Sequence, residues 1–153
     1  MEQSSLTVIQ DDLSSRSKKA LTLGILSVAI PSVLIILNNI IYVILALSLG
    51  IGAGMLDSRQ SAIRLFALIF IGYFSFFIVS GVIMMILGKG AWNRVRTIRQ
   101  DAIRAGVRRP AVSFVAQVFG ISSFFSGLFL VIVFAVYFLI LGLIFIAAGL
   151  MSL

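Results

Sequence analysis

The sequence predicts an all-α integral membrane protein: a polytopic helical bundle of four to five transmembrane segments built from Gly-rich hairpins, plus a basic amphipathic cytoplasmic helix. Three observations carry this expectation. Hydrophobic residues make up 61% of the 153 and charged residues 11%, where a soluble domain holds roughly 45–50% and 25%. Every charged residue lies outside three stretches, 20–56, 65–88 and 111–153. Each stretch provides the about 20 apolar residues needed to cross about 30 Å of hydrocarbon. Residues 65–87 show none of the alternation of a barrel strand, so backbone amides deprived of water must be satisfied inside helices.

Residues 1–19 read as a polar N-terminal tail carrying Glu2, Asp11 and Asp12, then Arg16, Lys18 and Lys19. No short apolar core followed by a small-residue cleavage site is present, so the tail is expected to be retained. Without Gly after Met1 and without cysteine, neither myristoylation nor thiol lipidation is expected, and disulfides are excluded.

The stretch 20–56 would be about 55 Å long as one helix, well beyond the hydrocarbon thickness. Asn38–Asn39 is its strongest polar pair and sits near its middle. The expected structure is therefore a hairpin, 20–37 and 40–56, joined by a tight turn. Pro31, inside the first limb, should kink the helix and free a carbonyl for a partner. Residues 65–88, between Arg64 and Lys89, suit one transmembrane helix.

Residues 89–110 carry Lys89, Arg94, Arg96, Arg99, Arg104, Arg108 and Arg109 against Asp101 alone. By the positive-inside rule this loop is cytoplasmic in a multi-pass protein of the cell membrane, or of the inner membrane where there are two. At 100° per residue, Trp92, Val95, Ile98, Ala102, Ile103 and Gly106 share one half of a helix, with Asn93, Arg94, Thr97, Gln100, Asp101, Arg104 and Arg108 opposite. Such a helix is expected to lie on the lipid surface, with Trp92 at headgroup level and Arg96 and Arg99 snorkelling toward phosphates. Trp92 and the six arginines are the candidate contacts for anionic headgroups or a partner; the plainer reading is that they only fix topology. Nucleic acid is not an expected partner, because the membrane accounts for the charge.

The stretch 111–153 poses the same length problem, and Gly120, Ser122, Ser123, Ser126 and Gly127 are its least apolar residues. A break there gives a second hairpin, 111–125 and 128–150, whose first limb contains Gln117 and is short enough to be re-entrant. A faint echo links the two long stretches: Gly24-Ile-Leu-Ser with Gly120-Ile-Ser-Ser, Tyr42 with Tyr137, and Ala53-Gly54 with Ala148-Gly149. Five spans put the N-terminus outside and strand Arg16, Lys18 and Lys19 on the wrong face. Four spans, with part of 20–56 interfacial, bring every strong basic cluster inside.

No Asp, Glu, Lys, Arg or His falls within the three stretches, and His and Cys are absent from the chain. That removes the usual proton relays, zinc and haem sites, and Ser-His or Cys-His nucleophiles; no enzyme activity, cofactor or metal is expected. The run Gly50-Ile-Gly52-Ala-Gly54 lacks the Lys-Ser/Thr of a phosphate loop, and Ser15-Arg-Ser-Lys18 lacks the companion motifs of penicillin-binding enzymes. Ala46, Gly50 and Gly54, and Gly142 with Gly149, are expected to be helix-packing faces, turned to this chain or to a second subunit. Asn38, Asn39 and Gln117 cap turns, bond across helices or line a polar path. The expected function is that of a small non-enzymatic membrane protein acting by contact with proteins or lipids. An accessory or assembly subunit, or an immunity protein against a membrane-active toxin, fits this description. The alternative is an oligomeric channel or facilitator for a small solute.

Overall fold

In the computed structural model the described residues form three long helices: α1 (Glu2–Gly52), α2 (Arg59–Arg104) and α3 (Ala111–Leu150). The structure describes the backbone of residues 2–52 and 59–150 and the side chains of 6–45, 47–48 and 69–144. The segments Leu6–Leu45, Ile69–Arg104 and Ala111–Ile144 are each long and apolar enough to cross a membrane. The chain is thus a multi-pass helical membrane protein, with three candidate spans among the described residues. The helices run up, down and up, so that α1 and α3 are parallel and α2 is antiparallel to both.

Neither expected hairpin forms among these residues. α1 continues through Asn38–Asn39, where Asn39 Nδ2 donates to the Ile35 carbonyl one turn earlier at 2.9 Å and Asn38 turns into the bundle, only 4% exposed. α3 continues through Gly120–Gly127. Helices of 51, 46 and 40 residues rise about 77, 69 and 60 Å. Their excess length is taken up by extension beyond the hydrocarbon rather than by folding back. Residues 1–19 are accordingly no free tail: from Glu2 they are helical, and Leu13 and Ser17 are buried against the end of α2. The close of the expected segment 40–56 lies outside the described residues.

What holds the helices side by side is a repeat in steps of three and four. α1 buries Leu13, Ser17, Ala20, Gly24, Ser27 and Pro31; α2 buries Phe77, Gly81, Met84, Gly88, Ala91, Val95, Ile98 and Ala102; α3 buries Ser113, Ala116, Gly120, Ser123 and Gly127. A 3.5-residue period keeps one stripe facing its neighbours along the whole bundle, as in a coiled coil. At most of these positions the side chain is small, which lets backbones approach where lipid-facing surface is as apolar as the interior. A Cβ on Gly81 would sit 2.8 Å from the Gly127 carbonyl oxygen, and one on Gly88 would sit 2.7 Å from that of Gly120. Only glycine fits at these two crossings of α2 and α3.

Two features shape the ends and the middle. The α2–α3 turn closes with Val107 N–H donating to the Ala102 carbonyl at 3.0 Å and Gly106 N–H to that of Ile103 at 3.2 Å, with Gly106 at φ 65°. This is the Schellman arrangement, in which a glycine adopts the left-handed conformation and the next residue packs back on the helix, as Val107 does. In mid-bundle, Pro31 cannot donate to the Ser27 carbonyl. Ser123 Oγ, from α3, donates to that carbonyl at 3.1 Å and also lies 3.3 Å from the Met84 carbonyl oxygen. One hydroxyl therefore ties all three helices together, and the carbonyl freed by Pro31 has its partner.

Candidate functional site

The polar end of the bundle is a packed head made from the start of α1, the end of α2, the turn 105–110 and the start of α3. Its core is Leu13, Ala20, Val95, Ile98, Ala102 and Ala116, with Leu21 and Val107 against it. The stripe Val95–Ile98–Ala102, expected to face lipid, thus faces protein. Ile103, on the edge of that half, is 69% exposed. The reason is the helical start of α1, which covers the stripe that would otherwise need lipid. With the stripe covered, the charged residues are displayed on the outside of a small three-helix body.

Those charges fall on distinct faces. Arg16 bridges Asp12 at 2.8 Å and Asp101 at 3.2 Å, joining α1 to α2; both contacts are exposed and contribute little stability. Beside them, Arg16, Lys19, Arg94, Thr97 and Ile98 line a cavity of about 260 Å³. Arg108 and Arg109 line a second, of about 510 Å³, with Gln10, Asp11, Ser14, Pro110 and Ala111. A third, about 210 Å³, is walled by Trp92, Val95, Arg96, Arg99 and Gln117. Arg104 is exposed and lines none of the three.

Arg109 is the most firmly held of the arginines. Its Nε donates to Ser113 Oγ at 2.5 Å, and one terminal nitrogen donates to the Ser113 carbonyl at 3.0 Å and to Gln117 Oε1 at 2.8 Å. Ser113 Oγ in turn donates to the Pro110 carbonyl at 2.7 Å. Burial, and then repulsion from Arg99, draws the Arg109 guanidinium below its ordinary pKa; arginine stays protonated in proteins all the same. Trp92, half-buried, meets Phe124 edge-on at 6.3 Å.

No protein family, curated protein or solved structure matches this chain. The site's own chemistry is therefore the guide to function: guanidinium groups are suited to oxyanions, and one of them, Arg109, is held in a fixed geometry.

The other predicted residues are dispersed. Asn38 is buried with its Nδ2 unpartnered, whereas Asn39 is exposed on the outer side, accepting from Tyr73 Oη at 2.9 Å. Gln117 belongs to the head. Counting from the level of Ser27–Ser123, Asn38 stands about 25 Å along the axis from Gln117, so the bundle brings no polar path together from these three. Among the described residues, Gly142 has nothing within 4 Å of where a Cβ would be. The side chains at Ala46, Gly50, Gly54 and Gly149 lie outside the described residues. The glycines that do carry packing, Gly81, Gly88, Gly120 and Gly127, were legible only as a small-residue stripe in three-and-four steps.

Proposed function

We propose that the protein is a non-enzymatic membrane protein that acts by contact, with its basic head in the cytoplasm. It serves as an accessory or assembly subunit of a membrane complex, or as an immunity protein that occupies a membrane-active toxin. The observation that carries this reading is the joining of the two basic segments into one body. Residues 2–20 and 89–110 contain ten of the twelve Lys and Arg and four of the five Asp and Glu. With three crossings, the start of α1 and the α2–α3 turn share a side, so one positive-inside assignment satisfies both. Arg16, Lys18 and Lys19 are no longer on the wrong face.

Two surfaces support contact rather than chemistry. Above the head, Ile25, Val33, Ile36, Ile40, Val43 and Leu47 on α1 and Phe125, Phe129, Ile132 and Leu139 on α3 point outward, which suits lipid or neighbouring helices. Below it, the exposed arginines suit acidic loops or headgroups. Crosslinking in native membranes followed by purification in mild detergent tests the reading. A membrane protein is expected to copurify, and to be lost when Arg94, Arg104 and Arg108 are changed to Gln. Recovery of a lone monomer from crosslinked membranes counts against it.

A further inference from the structure

We propose that the cleft between α2 and α3, walled by Trp92, Val95, Arg96, Arg99 and Gln117 and backed by Arg109 through its hydrogen bond to Gln117, binds the phosphodiester of an anionic glycerophospholipid. This deepens the contact function proposed above by assigning one face of the head its ligand. The first argument is charge. Arg96 and Arg99 line the cleft, and Arg109, which lines the neighbouring cavity with Asp11, holds its Gln117 wall; among the described residues none of the three has a carboxylate in ion-pair reach, and the ion pairs present belong to Arg16, on another face. Arg96 and Arg99 are three residues apart and so share a side of α2, and Arg99 is near enough to Arg109 to disfavour its charge. Like charges held together call for an anion between them.

The second argument is pre-organisation. Arg109 is fixed to the start of α3 by three hydrogen bonds, which leaves two of its five N–H groups for a ligand. Gln117, its carbonyl oxygen taken by Arg109, still has amide N–H donors to offer. Arg96 and Arg99 are exposed and can close over an oxyanion from the other wall. Planar, forked donors suit a phosphate better than a point charge does.

Depth selects the lipid over a free anion. Lys89, one turn beyond Trp92, is the last charge on α2 before the uncharged stretch 65–88, so the cleft lies at headgroup level. Beside it, Phe114, Val118 and Phe125 on α3 are exposed and rise from the level of the cleft toward the hydrocarbon. A phosphate in the cleft thus leaves acyl chains against apolar side chains, a combination that only a lipid uses.

Trp92 is the only tryptophan of the chain, so its fluorescence reports on this cleft alone. The experiment places the full chain in phosphatidylcholine vesicles doped with phosphatidylglycerol or phosphatidylcholine brominated high on the acyl chains. Brominated phosphatidylglycerol is expected to quench Trp92 saturably and far more strongly than its zwitterionic counterpart. In Arg96→Gln/Arg99→Gln that preference should fall about tenfold or more, as expected for two basic residues facing a phosphate. Arg94→Gln/Arg104→Gln removes equal charge from other faces and should leave the preference intact. Equal quenching by both lipids overturns the proposal, as does an equal loss in the two variants, which would mean diffuse surface charge. Displacement of the brominated lipid by inorganic phosphate at constant ionic strength would reassign the cleft to a soluble phosphate. A protein partner that is retained with no lipid preference would remove this site and leave the contact function standing.

Discussion

Pro31 and Ser123 show how a single residue's chemistry sets a tertiary contact. A proline in mid-helix removes the donor that the Ser27 carbonyl needs, and at membrane depth no water replaces it. Ser123 supplies the donor from α3 at 3.1 Å. Ser123→Ala is expected to cost about 0.6 kcal/mol and no more than about 1.7, the average and the maximum measured for side-chain hydrogen bonds between membrane helices. In a Pro31→Ala background the restored N–H satisfies Ser27, so the same serine change should cost clearly less. Thermal unfolding of the four proteins in one detergent measures the coupling, and an identical cost in both backgrounds would contradict it. The freed carbonyl was readable from the proline alone. Its partner was not, because a serine in an apolar run gives no sign of which way it faces. Arg109 presents the same difficulty: its bond to Gln117 spans eight residues and a turn, and depends on the Schellman closure at Gly106.

Among elements, helix type and the apolar stretches were legible because they follow from what lipid does to an unpaired amide. The hairpins were not, because the length argument assumes that a helix stops at the edge of the hydrocarbon. Here polar residues 2–19 and 89–104 prolong α1 and α2 as helix, and the head they build extends the bundle past that edge. Gly120, Ser123 and Gly127 looked like a break, yet they are the face on which α3 packs; only Ser122 and Ser126, beside them, point outward. The echo between the two long stretches has a structural counterpart. Gly24 meets Gly120, Tyr42 meets Tyr73 and Tyr137 meets Phe74, its neighbour, because α1 and α3 run parallel and in register. A Cβ on Gly127 would lie 2.5 Å from the Gly81 carbonyl oxygen. Gly127→Val should therefore destabilise the bundle by about 2 kcal/mol or more, while Gly142→Val, facing open space, should stay within about 0.5 kcal/mol. Melting temperatures of the two variants in one detergent check this, and an equal loss would place the seam elsewhere.

For the whole molecule, the distribution of burial is the informative quantity. The apolar core cluster sits at the polar end, and large apolar side chains are exposed along most of the remaining length. That is the pattern of a small water-facing head on a lipid-facing shaft. Three crossings with the head inside place residue 5 and residue 100 on the cytoplasmic face and residues 60 and 152 on the other. Because the chain has no cysteine, single substitutions Ser5→Cys, Gln60→Cys, Gln100→Cys and Ser152→Cys can each be labelled in intact cells with an impermeant maleimide. Labelling at 60 and 152, with protection of 5 and 100 until the membrane is opened, is the expected result. Protection of Ser152→Cys in intact cells, as a folded-back α3 requires, or labelling of Gln100→Cys from outside, would contradict the three-crossing topology.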